Sequence, residues 1–455
     1  MGGGFVEEGS YGELMSLGGW YAQFYKMQTG GLSSMDRMLS VLLSMLRDGE
    51  KTEAIDTLTP EGWGVLFSLA RMHKLSSLLY NKIRSADFHG EIPAAVLTRF
   101  HDQYFGTIAR NTLIFHELTH VLQWIRGANI PVIALKGVHL SDIVYGKWGL
   151  RPMNDVDLLV RREDLQETIN ILMNRQYQKA MRPTDGPRVY SHYTPLTRKK
   201  GVFIELHWAL AEPQLNNLID IKGIWHRAKP ARIANVDVLV LSPEDLIVHL
   251  CVHTALVHVF RGQLRSLFDI VQVIQFYGND IAWSTVEDIA FQWGVERSVY
   301  LVFALARRFA GLSVPEDFMA RLRPKNGLHE ILESAEAVIF DQNPGVVIPT
   351  LARLWGPQGI QDKSRHLMSR FFPSRTRFAL AHGVPSNSPR FLLYYPLRWH
   401  YLFRYYFPRA MKVFRKEREA TESLRVSIRA CSVLDWLRSG REDQDIGPGG
   451  SMDQS

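Results

Sequence analysis

Cysteine is scarce in this 455-residue chain: there are two, Cys251 and Cys431. They lie far apart and outside any CxxC pattern. That excludes a disulfide framework and a zinc ribbon, and it reads as a reducing, cytoplasmic setting. No apolar run nears the roughly 18 residues needed to cross a bilayer. The N-terminus opens with glycines and early glutamates and lacks the basic-then-apolar order of a secretory signal. No internal repeat is visible. Nor does one sign of charge dominate. The net charge of +7 suits a phosphate-bearing or acidic partner but is too small to imply nucleic acid. What is present is a globular composition. With 46% of its residues apolar, the chain can bury a sizeable core, and its length allows roughly two to four domains.

Five regions follow from pattern. Residues 1–34, rich in Gly, Ser and Met, read as disordered. Residues 35–115 are helical, with apolar positions three and four apart, as at Trp63, Leu66, Leu69 and Ala70. Residues 116–241 alternate helix and strand. A helix ends at Gly127 and Asn129, and strands are expected at 131–135, 156–160, 202–206 and 236–241. A short helix is expected from Val138 to Tyr145 and a longer one from Glu163 to Arg175. Ser242-Pro-Glu-Asp carries a helix cap, a first-turn proline and first-turn acids, and it opens a helical domain, 242–343. The rest, 344–455, is mixed. It contains the aromatic-basic block Phe391–Arg418 and a polar end that reads as disordered. The fold class is α+β: a small mixed-sheet core flanked by helical regions on both sides.

The chemistry concentrates in Ile130–Val160, IPVIALKGVHLSDIVYGKWGLRPMNDVDLLV. Strand alternation places Asp155 and Asp157 on one face, with Val156, Leu158 and Val160 on the other. Adjacent carboxylates repel each other and resist desolvation unless a cation sits between them, which points to a divalent metal. An acid-x-acid pair is weak evidence by itself, since composition alone yields about four or five of them in this chain. Its context is more specific. A strand ends at Lys136-Gly137, a helix follows, and a third carboxylate, Glu205, lies in the later strand Val-Phe-Ile-Glu-Leu-His-Trp, with His207 on its face.

Tyr145, Arg151, Pro152, Asp155, Asp157, Leu158, Leu159, Val160, Glu205, His207 and Trp208, in this order and spacing, resemble the uncharacterised nucleotidyltransferase family of the DNA polymerase β-type nucleotidyltransferase superfamily. The resemblance is specific over about 130–210. It implies transfer of a nucleoside monophosphate from an NTP to a hydroxyl, with release of pyrophosphate. The acceptor is left open: a small molecule, a sugar intermediate or a protein. It also implies that Asp155, Asp157 and Glu205 hold two Mg²⁺ ions roughly 3.5–4 Å apart, with Glu205 as a candidate proton acceptor. Gly137 would let the backbone approach the phosphates, and Lys136 and Arg151 would offset their charge. The wider superfamily has Gly-Ser or Gly-Gly at the turn and a shorter gap to the first aspartate. Here Lys136-Gly137 occupies that place.

Plainer readings stand beside these. Asp155 and Asp157 could be a turn cap and a surface acid, and Glu205 a solvent-facing strand residue. His207 could touch substrate or brace Glu205. Lys136 could be a solvated loop lysine, and Arg151 the structural partner of Asp155 or Asp157. Tyr145 and Trp148 could floor a nucleotide or simply pack. His249 and His253, four apart, have zinc-ligand spacing, but His-Leu-Cys-Val-His lacks the glutamate of a zincin, so they read as core histidines, with His253 placed to bond Asp269. The aromatic-basic block reads as a buried helix pair with snorkelling arginines, or less favoured as a peripheral membrane contact. At the level of function the rivals are an inactive nucleotide-binding or assembly protein of a biosynthetic pathway and an Asp-x-Asp glycosyltransferase.

Overall fold

The computed structural model describes residues 32–47, 58–85, 91–180, 193–198, 201–211, 218–341, 349–355, 359–372 and 390–439. The N-terminal stretch expected to be disordered lies outside these residues except for Leu32–Ser34, which open the first helix. The polar end also lies outside them, as does 183–187, a Pro- and Gly-bearing stretch that reads as a loop in the sequence.

Among the described residues, four helices come first: α1 (Leu32–Leu46), α2 (Pro60–Met72), α3 (Ser76–Ile83) and the 34-residue α4 (Ala94–Gly127). Thr59 caps α2 by accepting from the Gly62 N–H, with Pro60 pre-set for the first turn. Ala128 and Asn129 end α4, and Asn129 takes a left-handed φ of 57°. The sheet then begins with β1 (Val132–Ala134), the short helix α5 (Lys136–His139) running on into a π-helical turn (Leu140–Val144), and β2 (Asp155–Val160). Next come α6 (Leu165–Asn174), β3 (Gln178–Lys179), β4 (Leu196–Thr197), β5 (Phe203–His207), α7 (Ile221–Arg227), β6 (Lys229–Ile233) and β7 (Val236–Val240).

The seven strands form one mixed sheet in the order β3-β4-β5-β2-β1-β7-β6. At its centre β2 runs antiparallel to β1 and parallel to β5. Alternation along β2 divides two cores. Val156, Leu158 and Val160 pack with Ile114, Leu118, Val121 and Leu122 of α4 and Ile169 and Leu172 of α6. Leu159, on the face of the aspartates, joins Ile133 and Leu135 in the core built with the C-terminal helices. One face of the sheet is thus sealed by α4 and α6, and the acidic face looks towards the helical region.

That region is α8 (Pro243–Val252) with a π-helical turn (His253–Val257), α9 (Leu264–Tyr277), α10 (Trp283–Gln292), α11 (Glu296–Ala310), α12 (Glu316–Leu322) and α13 (Leu328–Ile339). Ser242 caps α8 through the Asp245 N–H, as its sequence signature implies. Leu246, Ile247 and Leu250 of α8 are buried, each contributing about 1.5–3 kcal/mol. This is an α+β core flanked by helices.

The remaining helices among the described residues are α14 (Pro349–Trp355), α15 (Ile360–Phe371), α16 (Arg390–Phe414) and α17 (Arg418–Ser439). The aromatic-basic block is α16. Its Leu402 is buried, but Trp399, Phe403, Phe407 and Phe414 are exposed, and Phe403 stacks on Phe407 at 4.6 Å. The block is therefore not buried throughout. Among the described residues, no helix is long and apolar enough to cross a membrane.

Candidate active site

Parallel pairing of β2 with β5 sets Asp157 directly beside Glu205, and Asp155 beside Phe203. Glu205 thus faces the same side of the sheet as the aspartates. One ligand atom from each of Asp157, Glu205 and His207 lies within 4.8 Å of the others, and all three residues are buried. Asp155 is not one of these three. It lies at the start of β2, half-buried, two residues before Asp157.

His207 donates from Nε2 to Asp157 Oδ1 at 2.8 Å and lies 4.0 Å from Glu205 Oε2. The imidazole therefore orients Asp157. The same nitrogen could ligate a metal only by giving up that bond. Lys136 Nζ stands 3.7 Å from the other Asp157 oxygen. Burial alone would raise the Asp157 pKa. The Lys136 charge and the His207 hydrogen bond outweigh it and hold this carboxyl well below its usual range. Asp157 is thus an anion in a buried site.

Lys136 has a φ of +28°, in the left-handed region that glycine prefers. The chain thus holds a lysine at this turn under backbone strain of order 1–3 kcal/mol, with its ammonium at the metal-capable cluster. Gly137, by contrast, is not demanded by protein packing. A Cβ there would meet Arg151 Nη1 at 3.5 Å and Met153 Sδ at 3.6 Å, both ordinary contacts.

Arg151 makes a two-pronged contact away from the acidic cluster. Its Nε and Nη2 donate to the two oxygens of Asp269, each at 3.0 Å, and Tyr145 donates to the same carboxylate at 2.9 Å. Arg151 thus pairs with Asp269 of α9, not with Asp155 or Asp157, the partners expected from sequence. Asp269 is thus bonded by Arg151 and Tyr145 rather than by His253. Trp148 stacks on Phe115 at 4.4 Å and donates to Asp142, so it packs.

Sequence reasoning missed Lys74 and gave no site role to His249, His253 or Arg265, which the helical regions bring to the site. Lys74, in the α2–α3 turn at φ 59°, has a pKa lowered first by burial and then by Arg265, with Asp155 opposing and Arg151 adding. Arg265 is half-buried and donates to the Pro152 carbonyl at 2.8 Å. Burial, then Arg151, brings it down to about 10. Lys74, Arg151 and Arg265 thus form a positive zone beside Asp155. On α8, His249 is 1% exposed, and neither ring nitrogen has a hydrogen-bond partner among the described residues. Burial, then the Lys136 and His207 charges, keeps it neutral despite Asp157. His253 stands beside it, with His258 at a ring distance of 4.3 Å from His253. None of these placements has a local sequence signal.

A family model described as an uncharacterised nucleotidyltransferase matches residues 59–311, more than half of the chain. The chain belongs to this family. The match runs from α2 to the end of α11, so it takes in the sheet, the Asp157–Glu205–His207 cluster and the segments that carry Lys74, His249 and Arg265. Nucleotidyl transfer implies a nucleoside triphosphate substrate. No curated protein and no solved structure matches the chain.

Proposed function

We propose that this nucleotidyltransferase moves a nucleoside monophosphate from an NTP to a hydroxyl acceptor, releasing pyrophosphate, with Mg²⁺ held at the acidic face of β2 and β5. The observation that carries this reading is the alignment of Asp157 with Glu205 on adjacent parallel strands, beneath Lys136.

The donor set suits a divalent ion: two buried carboxylates, with an imidazole that braces one of them. Asp157 and Glu205 would be its ligands, with Asp155 reaching a second ion. Bound there, Mg²⁺ would neutralise phosphate charge and lower the pKa of the acceptor hydroxyl. The chain's own residues do the rest. Lys136 and the Lys74–Arg265 zone hold the triphosphate, replacing the phosphate role expected of Arg151. Gly137 leaves room for a phosphate to come close to the backbone. Glu205 accepts the proton of the attacking hydroxyl. His207 keeps Asp157 ionised and aimed. His249, neutral and unpaired, offers ring nitrogens to a polar group of the base or acceptor. The helical regions on both sides wall this face off from bulk water.

The test is incubation of the protein with each labelled NTP and Mg²⁺, with and without lysate. Label transfer that disappears in Asp157→Asn and Glu205→Gln supports the reading, and transfer unchanged in both removes it. The exposed aromatics of α16 favour a second, separate reading, peripheral contact with a lipid surface on the cytoplasmic side. Liposome flotation checks it, and recovery of the full-length protein only in the bottom fraction excludes it.

A further inference from the structure

On the far side of the sheet, α4 carries His116-Glu117-Leu118-Thr119-His120. This is the H-E-x-x-H pattern on a helix, whose two histidines, four apart, project from one face. Composition alone would place roughly 0.06 such pentapeptides, counting either acid, in a chain of this kind. The structure adds what the pattern cannot. One ligand atom from each of His116, Glu117 and His120 lies within 4.8 Å of the others. His120 donates from Nδ1 to the His116 carbonyl at 3.0 Å, which fixes the tautomer and leaves the Nε2 lone pair for a ligand bond. Glu117 is held from behind: the Tyr177 hydroxyl donates to Oε1 and Arg198 Nη2 to Oε2, the latter at 2.9 Å. Each oxygen keeps a second lone pair. Carboxylates and imidazoles fixed in this way by outer hydrogen bonds are what metal sites use. Beside them opens a cavity of about 440 Å³, lined in part by His116, Glu117, Arg110, Arg198 and Gln176.

We propose that His116, Glu117 and His120 form a second metal site, for an ion of the Zn²⁺ class, with its remaining position open to the cavity. Two imidazoles and a carboxylate are the ligand set that borderline transition metals take from proteins, in contrast to the oxygen-rich site on the other face of the sheet. Three protein ligands and an open fourth position leave room for water or an anion, and Arg110 and Arg198 at the cavity wall favour the anion. The site departs from a zincin in one respect. Its glutamate is tied down by Tyr177 and Arg198, so it serves as a ligand rather than as the base that activates water.

The experiment uses tag-free full-length protein carrying Asp157→Asn, which disables the acidic cluster on the other face, so the outcome does not depend on the transferase reading. Zn²⁺ is titrated calorimetrically, and Co²⁺ by visible absorption. The expected result is one equivalent of Zn²⁺ and an intense low-symmetry Co²⁺ spectrum. Adding Glu117→Gln, which retains hydrogen-bonding groups for Arg198 and Tyr177, should weaken Zn²⁺ binding at least about 10-fold. Adding His116→Gln and His120→Gln should abolish it. Affinity unchanged by Glu117→Gln would reduce the site to a surface histidine pair and overturn the proposal, as would the absence of Zn²⁺ uptake that depends on these histidines.

Discussion

Replacing Arg151 separates a structural from a catalytic role at the residue where the sequence left both open. Its guanidinium and the Asp269 carboxylate are almost fully buried, with side chains 7% and 1% exposed, and two bonds of 3.0 Å join them. Arg151→Met leaves an anion in the core with the Tyr145 hydroxyl and Arg265, whose Nε is 3.7 Å away. Stranding one partner of a buried pair costs about 3–5 kcal/mol. Arg151→Lys keeps the charge but loses the two-pronged fork, and should cost about 1.5–3 kcal/mol. The double variant Arg151→Met, Asp269→Leu removes both charges, so it should be less destabilised than the sum of the singles, by about 2 kcal/mol or more. Urea denaturation of wild type, the singles Arg151→Met, Arg151→Lys and Asp269→Leu, and the double variant gives these numbers. A loss below about 1 kcal/mol for Arg151→Met, accompanied by a raised KM for NTP, would refute the structural role and return Arg151 to the triphosphate.

Two glycines should behave in opposite ways. A Cβ at Gly149 would sit 2.5 Å from the Tyr104 ring and 2.9 Å from Ile108, so Gly149→Ala should destabilise by about 1–3 kcal/mol, whereas Gly137→Ala should leave the denaturation midpoint in place and depress NTP turnover. Lys136→Met removes the positive charge that counters the burial of Asp157, so the acid limb of Mn²⁺ binding should move to higher pH, and an unmoved limb would show that Lys136 does not act on this carboxyl. His73 and His139 are buried and held near 4 by that burial, below the 6.5 of an unfolded histidine. Their contribution to stability is complete above about pH 6.5 and is lost as pH falls towards 4, by about 1.4 kcal/mol per pH unit for each, because the unfolded chain takes the protons first. Urea midpoints at pH 7, 6 and 5 measure this, and His139→Gln should make the fall shallower.

The central strands were legible because each is a short β-branched or apolar run between breakers. Those expected at 131–135, 156–160, 202–206 and 236–241 correspond to β1, β2, β5 and β7. The edge of the sheet was not legible. β6 reads Lys-Pro-Ala-Arg-Ile, with a proline that argues against a strand, and its mostly exposed side chains lack a core pattern. β3 and β4 have two residues each, too few for any periodicity. At the site, period-two alternation gives the shared face of Asp155 and Asp157. The match of Asp157 to Glu205 depends on β5 pairing parallel with β2, which local sequence does not specify. The same limit applies to Arg151, whose partner lies 118 residues away, and to Lys74, His249 and Arg265, which only tertiary packing brings to the acidic face. The His-Glu-x-x-His pattern on α4 was open to reading from sequence alone. What that pattern lacked was the Tyr177 and Arg198 contacts that hold its glutamate.

The central claim is that Asp157 and Glu205 act together to hold a divalent ion for an NTP. Electron paramagnetic resonance of Mn²⁺, with and without a non-hydrolysable NTP analogue, tests this without knowledge of the acceptor. The account predicts that wild-type protein takes up Mn²⁺ more tightly when the analogue is present, and that Asp157→Asn and Glu205→Gln each abolish this enhancement. Equal enhancement in wild type and both variants would contradict it.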